Sequence, residues 1–360
     1  MNTFNKISVS APGRICLFGE HQDYLNLPVI AAAINRRITV IAHKRNDPIM
    51  HFQLPDIHEE DSFHVSKHVE YIKERDYLRS AVNIVQRYGY TISHGADFTV
   101  TGTIPINSGT SSSTALVVAL TDMIIRLNEK NKHVPPEEIA KLAHLAEVVE
   151  FGEPGGMMDH YTTAIGGVIF LSMYPELNIE KLRPHLGSFV LGDSGEPKNT
   201  MVILAKVKRR IEKTVYQLSH LYENFSLQTV SLSEIDTFKK DLEKDQIDIL
   251  TATLQNRDIT GEAKEICTAK SLDHEKFGEL LYKHHVILSK ELHISTAKID
   301  RMIGAALKAG AYGAKINGSG GGGCMFAYAP DKAEQVAEAI AKEGGKCYII
   351  NVDQGLRVER

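Results

Sequence analysis

The sequence predicts an α+β protein in two domains, and three observations carry that prediction. A chain of 360 residues is longer than a single hydrophobic core usually supports. Strand-like and helix-like stretches alternate through the first half, whereas from about residue 200 the pattern is mostly amphipathic helices with polar connections. At 43% apolar and 24% charged residues, the composition is that of an ordinary globular chain, which excludes disorder and fibres. The change of character sets the expected boundary near 195, dividing the chain into 1–195 and 196–360.

In the first half, residues 6–11 read as a strand that Pro12-Gly13 should end, and 29–34 and 38–42 as two buried strands. Residues 49–54 have the look of an edge strand, and 56–73 are too polar and irregular to assign. A helix is expected over 77–88, where Leu78, Ala81, Val82 and Val85 fall at helical spacing before Gly89. Residues 98–104 form a strand, and Leu116–Leu127 lie on a helix. A further helix begins at Pro135-Pro136-Glu137-Glu138, with proline in its first turn and acids near its positive end, and stops before Gly152. Strands follow at 166–171 and 188–193. The second half contributes helices over 206–222, 231–243, 246–255, 275–292 and 296–309, a glycine-rich loop at 315–323 leading into a strand, a helix from Lys332 and a last strand at 347–352.

Charge and cysteine usage narrow the function. A net charge of −4 offers no basic surplus for a nucleic-acid backbone, so no nucleic-acid partner is expected. The longest apolar runs are far too short to span a bilayer and the start of the chain has no apolar leader, so no membrane is expected and the protein reads as cytoplasmic. Cys16, Cys267, Cys324 and Cys347 are scattered, which fits neither a zinc site nor a disulfide framework, and the spacing of His58, His64 and His68 matches no ligand set.

Four stretches carry chemistry. The first is Pro105 to Ala115, in which Ser108-Gly109-Thr110-Ser111-Ser112-Ser113 run into the apolar start of a helix. Such a start leaves backbone N–H groups unpaired and carries positive dipole, so it suits a phosphate; taken alone, the loop reads first as a helix cap through Ser112 or Ser113. In the second, Arg14, Glu20, His21 and Asp23 lie within ten positions beside Gly13 and Gly19, a density of donors and acceptors suited to a small polyhydroxylated ligand or to a self-paired solvated turn. The third is the turn Gly155-Gly156-Met157-Met158-Asp159-His160, where Asp159 is either a helix cap or a base presented by a rigid turn; Glu147, just before it, shares a stripe with the small residues Ala140 and Ala143. The fourth, Gly318, Gly320 and Gly323, has G-x-G-x-x-G spacing, but Cys324-Met325-Phe326 after it alternates like a strand rather than opening a helix, which excludes a dinucleotide fold. No G-x-x-x-x-G-K-[ST] loop occurs.

Three of these motifs, Ala11-Pro12-Gly13-Arg14 onward, Pro105 to Ala115, and Lys315 to Cys324, resemble in order and spacing the GHMP kinase superfamily, named for galactokinase, homoserine kinase, mevalonate kinase and phosphomevalonate kinase. Gly13 to Tyr24 is similar to the galactokinase signature G-R-[VI]-N-L-[IL]-G-E-H-x-D-Y, although Cys16 stands where that family has asparagine and Leu25-Asn26-Leu27-Pro28 replaces its usual continuation. The residues before Arg209-Arg210 also lack the tyrosine that galactokinases carry there. The resemblance implies an N-terminal domain of the ribosomal S5 domain 2 type joined to a ferredoxin-like C-terminal domain with extra helices. It implies transfer of the γ-phosphate of ATP to the anomeric hydroxyl of a monosaccharide, galactose first among several sugars, by a monomeric enzyme; a sugar sensor without transfer is the alternative. Asp159 would be the catalytic base flanked by Arg14. Glu20, His21, Asp23 and Gly156 would bind the sugar, Ser108 to Ser113 the nucleotide, and Ser113 with Glu147 would hold Mg2+.

Overall fold

The computed structural model describes residues 6–105, 109–128, 134–197 and 200–359. It is an α+β structure built on two sheets. The elements of the first half are β1 (Lys6–Phe18), β2 (Val29–Lys44), β3 (Ile49–Leu54), β4 (Glu59–His64), α1 (Tyr77–Arg87), β5 (Ala96–Gly102), α2 (Ser112–Asn128), α3 (Pro136–His144), α4 (Met158–Ile165), β6 (Val168–Ser172) and β7 (Asn178–Leu182). Those of the second half are β8 (Phe189–Asp193), α5 (Thr200–Leu221), α6 (Ile235–Phe238), α7 (Lys244–Thr268), α8 (His274–Lys290), α9 (Ala297–Lys308), β9 (Gly313–Ile316), β10 (Cys324–Tyr328), α10 (Ala333–Lys342), β11 (Lys346–Ile350) and β12 (Arg357–Glu359).

The large sheet runs β12-β1-β2-β5-β3-β4, with β6 and β7 added along the first part of β2. β2 is one strand where two were expected: Asn35-Arg36 are absorbed as an irregularity opposite Pro12/Gly13, so β1 likewise continues through Pro12-Gly13 instead of ending there. A bulge bends a strand without stopping it, and here it falls next to Arg14. Residues 49–54 are not at the edge, since β3 lies between β5 and β4. The outer strand is β4, from the stretch that resisted assignment: its Glu59-Glu60-Asp61-Ser62 run is the charged sequence expected of a protected edge.

The small antiparallel sheet runs β11-β8-β10-β9, with α9 and α10 packed on it and α8 against β9. The change of sheet thus falls between Leu182 and Phe189, a little before 195, and β12 returns from the far end of the chain to pair with β1. Two expected helices differ. The 231–243 stretch breaks into short turns around α6, where only Ile235 and Phe238 are buried. In the other direction α7 runs on to Thr268 through Asn256-Arg257-Asp258, because Asn256, Ile259, Thr260 and Ala263 keep a buried stripe.

A core lies between α2 and the large sheet, and a second lies among the later helices and the small sheet. A third joins the two sheets: Ile15, Leu17 and Phe18 of β1 meet Phe189, Phe326 and Phe277. β1 is therefore covered on both faces, which is why its sequence lacks clean alternation. Among the described residues no helix is long and apolar enough to cross a membrane.

Candidate functional site

Between the two sheets a cavity of about 200 Å3 is lined by β1 and its following loop, the start of α2, the turn before α4, and the glycine loop after β9. Gly109 is the point at which three distant segments meet. Its carbonyl accepts from Arg14 Nη1 at 2.5 Å and from Asn317 Nδ2 at 2.8 Å, and Cys16 N–H donates to Asn317 Oδ1 at 2.9 Å. Gly318, at φ +79°, passes so close to Gly109 that an added Cβ would lie 2.8 Å from its carbonyl oxygen. Only glycine combines that backbone with that approach.

Arg14 and Asp159 form a two-pronged pair: Nε and Nη2 of the guanidinium each reach a carboxylate oxygen at 2.7 Å. Asp159 sits in the first turn of α4 and accepts a third bond from Ser111 Oγ at 2.6 Å. Burial, the strongest influence on Asp159, pushes its pKa up, but Arg14, Ser111 and His160 together hold it below the usual carboxylate range. Burial likewise acts to lower Arg14, and the charges of Asp159 and Glu20 outweigh it. Both groups stay ionised, the form in which a carboxylate can receive a proton.

Asp23 behaves oppositely. Its carboxylate accepts from Met158 N–H at 3.3 Å and Tyr24 N–H at 3.0 Å, yet burial and then the charge of Asp159 raise its pKa to about 6. Gly156 lies directly behind it, leaving no room for a side chain. Glu20 is paired with Lys315 Nζ at 2.9 Å, and that ammonium, wholly buried, also donates to Cys16 O at 2.8 Å. His21, at φ +62°, has both ring nitrogens engaged: Nε2 donates to Ser319 O at 3.0 Å, which leaves Nδ1 to accept from Tyr24 OH at 2.9 Å.

Glu147 lies on a π-helical turn, Leu145–Val149, that interrupts the helix expected to reach Gly152; turns of this kind recur at functional sites. Its carboxylate accepts from His160 Nε2 at 2.8 Å, and the Ser113 and Thr114 hydroxyls also favour its ionised form. Burial acts to raise its pKa, and these donors bring it below the usual carboxylate value.

The structure thus brings Arg14, Glu20, His21, Asp23, Gly109, Ser111, Ser112, Ser113, Glu147, Gly156 and Asp159 to one cavity. Thr110 is buried behind it, its carbonyl accepting from Arg14 N–H at 3.2 Å. Ser108 lies outside the described residues. Ser111, expected at the nucleotide, turns its hydroxyl to Asp159. Sequence reasoning missed Lys315, Asn317, Ser319 and His160. The signal available was a lysine and an asparagine inside the otherwise apolar Gly-Ala-Lys-Ile-Asn-Gly run. Among the described residues no group of three or more His, Cys, Asp or Glu side chains could by itself hold a metal ion. One carboxylate, Glu147, with hydroxyls beside a helix N-terminus is a donor set that fits a hard cation completing its shell with water and oxygens of a bound ligand.

Three family models match the chain: the galactokinase galactose-binding signature over residues 2–44, the GHMP kinase N-terminal domain over 76–167, and the GHMP kinase C-terminal domain over 264–346. The mevalonate kinase of Thermococcus onnurineus is 32% identical over 98% of both chains, and the galactokinase of Actinobacillus succinogenes is 27% identical over 97% of this chain and 94% of its own. Among solved structures, Lactococcus lactis galactokinase complexed with galactose superposes with a TM-score of 0.88 at 23% identity, covering 99% of this chain and 95% of that one. Methanococcus jannaschii mevalonate kinase gives 0.73 at 19% identity, covering 96% and 98%. Family models at both ends and full-length identity to a kinase agree with the meeting of the three motifs at Gly109. The chain belongs to the GHMP kinase family and is a phosphotransferase that takes ATP as co-substrate and an alcohol group as acceptor.

Proposed function

We propose that the acceptor is the anomeric hydroxyl of a monosaccharide, galactose being the first candidate and arabinose, galacturonate, N-acetylgalactosamine and heptoses the others. The observation that carries this reading is the charge balance of the cavity. Its arginines are matched, Arg14 to Asp159 and Arg75 to Glu153, and Lys315 behind it is matched to Glu20, which leaves the carboxylates of Asp23 and Glu147 without an arginine or lysine partner among the described residues. A neutral polyol donates hydroxyls to such carboxylates, whereas an acceptor bearing its own carboxylate, such as mevalonate, would meet repulsion and find no unmatched cation among the described lining residues, and the same count places galacturonate behind the neutral sugars. The galactose-binding signature over residues 2–44 supports the same choice.

In this reading Asp23 and the free face of Glu20 accept sugar hydroxyls, and His21, tied to Tyr24 and Ser319, fixes the loop that carries them. Gly109 to Ser113 and the start of α2 take the triphosphate, whose charge the unpaired amides and the helix dipole favour. Asp159 receives the proton of the attacking hydroxyl as the bond to the γ-phosphorus forms and the bond from that phosphorus to the bridging oxygen breaks, releasing ADP, and Arg14 keeps Asp159 ionised and oriented. Ser113 and Glu147 would hold Mg2+, which when bound supplies charge neutralisation on the phosphates. A monomeric, cytoplasmic enzyme is part of the same proposal.

A second reading, mevalonate kinase, is favoured by the 32% full-length identity to that enzyme of Thermococcus onnurineus. One experiment separates the two: ADP release measured with galactose, the other sugars, mevalonate and homoserine. Turnover with a sugar and none with mevalonate is expected. Turnover with mevalonate alone overturns the proposal, and tight sugar binding without turnover indicates a sensor.

A further inference from the structure

His160 follows the catalytic base in sequence, is buried beneath the cavity, and has no part in the chemistry above. It is 2% exposed, and its one hydrogen bond is Nε2 to Glu147 Oε2 at 2.8 Å. An ionised carboxylate only accepts, so the proton of that bond is on Nε2. Nδ1 has no partner among the described residues. Burying a polar atom unpaired costs on the order of 1–3 kcal/mol, so the ring is not there for its own polar comfort. The His144 and His160 rings meet edge to face, 5.1 Å between centroids, and burial lowers the pKa of His144 to about 4, so a neutral ring braces the imidazole.

Two sets of groups act on the Glu147 carboxylate: His160, which donates to it at 2.8 Å, and the Ser113 and Thr114 hydroxyls, which favour its ionised form. They are not equivalent. Ser113 and Thr114 belong to the first turn of α2, which in the proposed function faces the nucleotide, and a Ser113 that turned its oxygen to a cation would no longer act on Glu147. His160 stands on the other side, on α4, and keeps its bond whatever the serine loop does. Consecutive positions of α4 project about 100° apart, so one helical turn sends Asp159 to Arg14 and His160 to Glu147.

We infer that His160 is a positioning residue that holds the Glu147 carboxylate in the orientation that receives the nucleotide-bound divalent cation. The inference rests on the assignment of Glu147 made under the proposed function. Partners of this kind typically contribute 10- to 100-fold to metal affinity. A glutamine at 160 can still offer an N–H at about the reach of Nε2, whereas asparagine falls short.

The test is Mn2+ binding in the presence of a non-hydrolysable ATP analogue and no acceptor, read as loss of the free-Mn2+ electron paramagnetic resonance signal. His160→Asn is expected to weaken Mn2+ about tenfold or more, and His160→Gln to stay within about threefold of wild type. Glu147→Gln alone and His160→Asn with Glu147→Gln together should be equally weak, since His160 acts through Glu147. Thermal melts accompany each protein, and His160→Gln carries the comparison should the asparagine variant not fold: its loss of Mn2+ affinity on an unchanged melt overturns the inference. Normal Mn2+ affinity in a folded His160→Asn overturns it while Glu147 stands. If Glu147→Gln also binds normally, the metal assignment fails with it, and because no acceptor is present neither result bears on which alcohol is phosphorylated.

Discussion

Asp23 shows how a single residue can give up stability for the charge that the proposed sugar site needs. Burial and then the Asp159 charge lift its pKa from 3.8 to about 6. The folded state therefore holds the Asp23 proton more firmly than the unfolded state does. Stability from this group is fully present below about pH 4, and it is lost as pH rises towards 6. Above that the ionised carboxylate persists at a cost of about 1–3 kcal/mol, in the form that accepts a hydroxyl. Asp23→Asn should accordingly raise the melting temperature at pH 7.5 by a few degrees and weaken sugar binding. Calorimetric titration of the wild type with sugar and ATP analogue should show affinity falling below about pH 6, and the variant should lose that dependence. A variant that melts lower than wild type at pH 7.5 contradicts the account. Gly156 belongs to the same argument: an added Cβ would lie 2.1 Å from Asp23 Oδ2, so the turn before α4 is glycine because the carboxylate stands there.

At the scale of elements, the first turn of α4 and the serine loop are locked to each other through Asp159, which takes Arg14 from β1 and Ser111 from the loop. A positioned general base contributes roughly 10²- to 10⁴-fold to rate; Asp159→Asn should lower kcat by that range with ATP KM little changed, and turnover within a few-fold of wild type at saturating ATP and acceptor would remove the role. This constellation was legible because its parts are local: Arg14 to Asp23, the serines before α2, and the glycine turn before Asp159 each keep their chemistry within a dozen positions. What was not legible depends on distance. Lys315 meets Glu20 across 295 positions and Asn317 meets Cys16 across 301, and no periodicity encodes such contacts. β4 escaped for another reason, since a charged edge strand reads as a loop until its partner is known. The π-turn at Glu147 was hidden because it differs from the α-helix only in where one carbonyl finds its donor.

On the scale of the whole molecule, the two sheets are tied together closely enough that they should unfold as one unit. β12 returns to β1, Arg37 of β2 binds Asp353 and the carbonyls of Gln354 and Gly355, and the third core is shared between the sheets. The most exacting contact across this seam is Lys315–Glu20, with both side chains almost fully excluded from solvent. A buried pair adds little over an apolar substitute, but removing one partner strands the other charge at a cost of about 3–5 kcal/mol. Lys315→Met should therefore lower the denaturant midpoint substantially while unfolding remains a single transition by circular dichroism. Arg14 cannot replace the lost ammonium, because its fork is already spent on Asp159 and Gly109. Adding Glu20→Gln to Lys315→Met removes the stranded charge and should recover a large part of the loss. The double variant should thus be more stable than Lys315→Met alone, a reversal that independent contributions cannot produce. A Lys315→Met protein as stable as wild type would show that the seam does not depend on this pair.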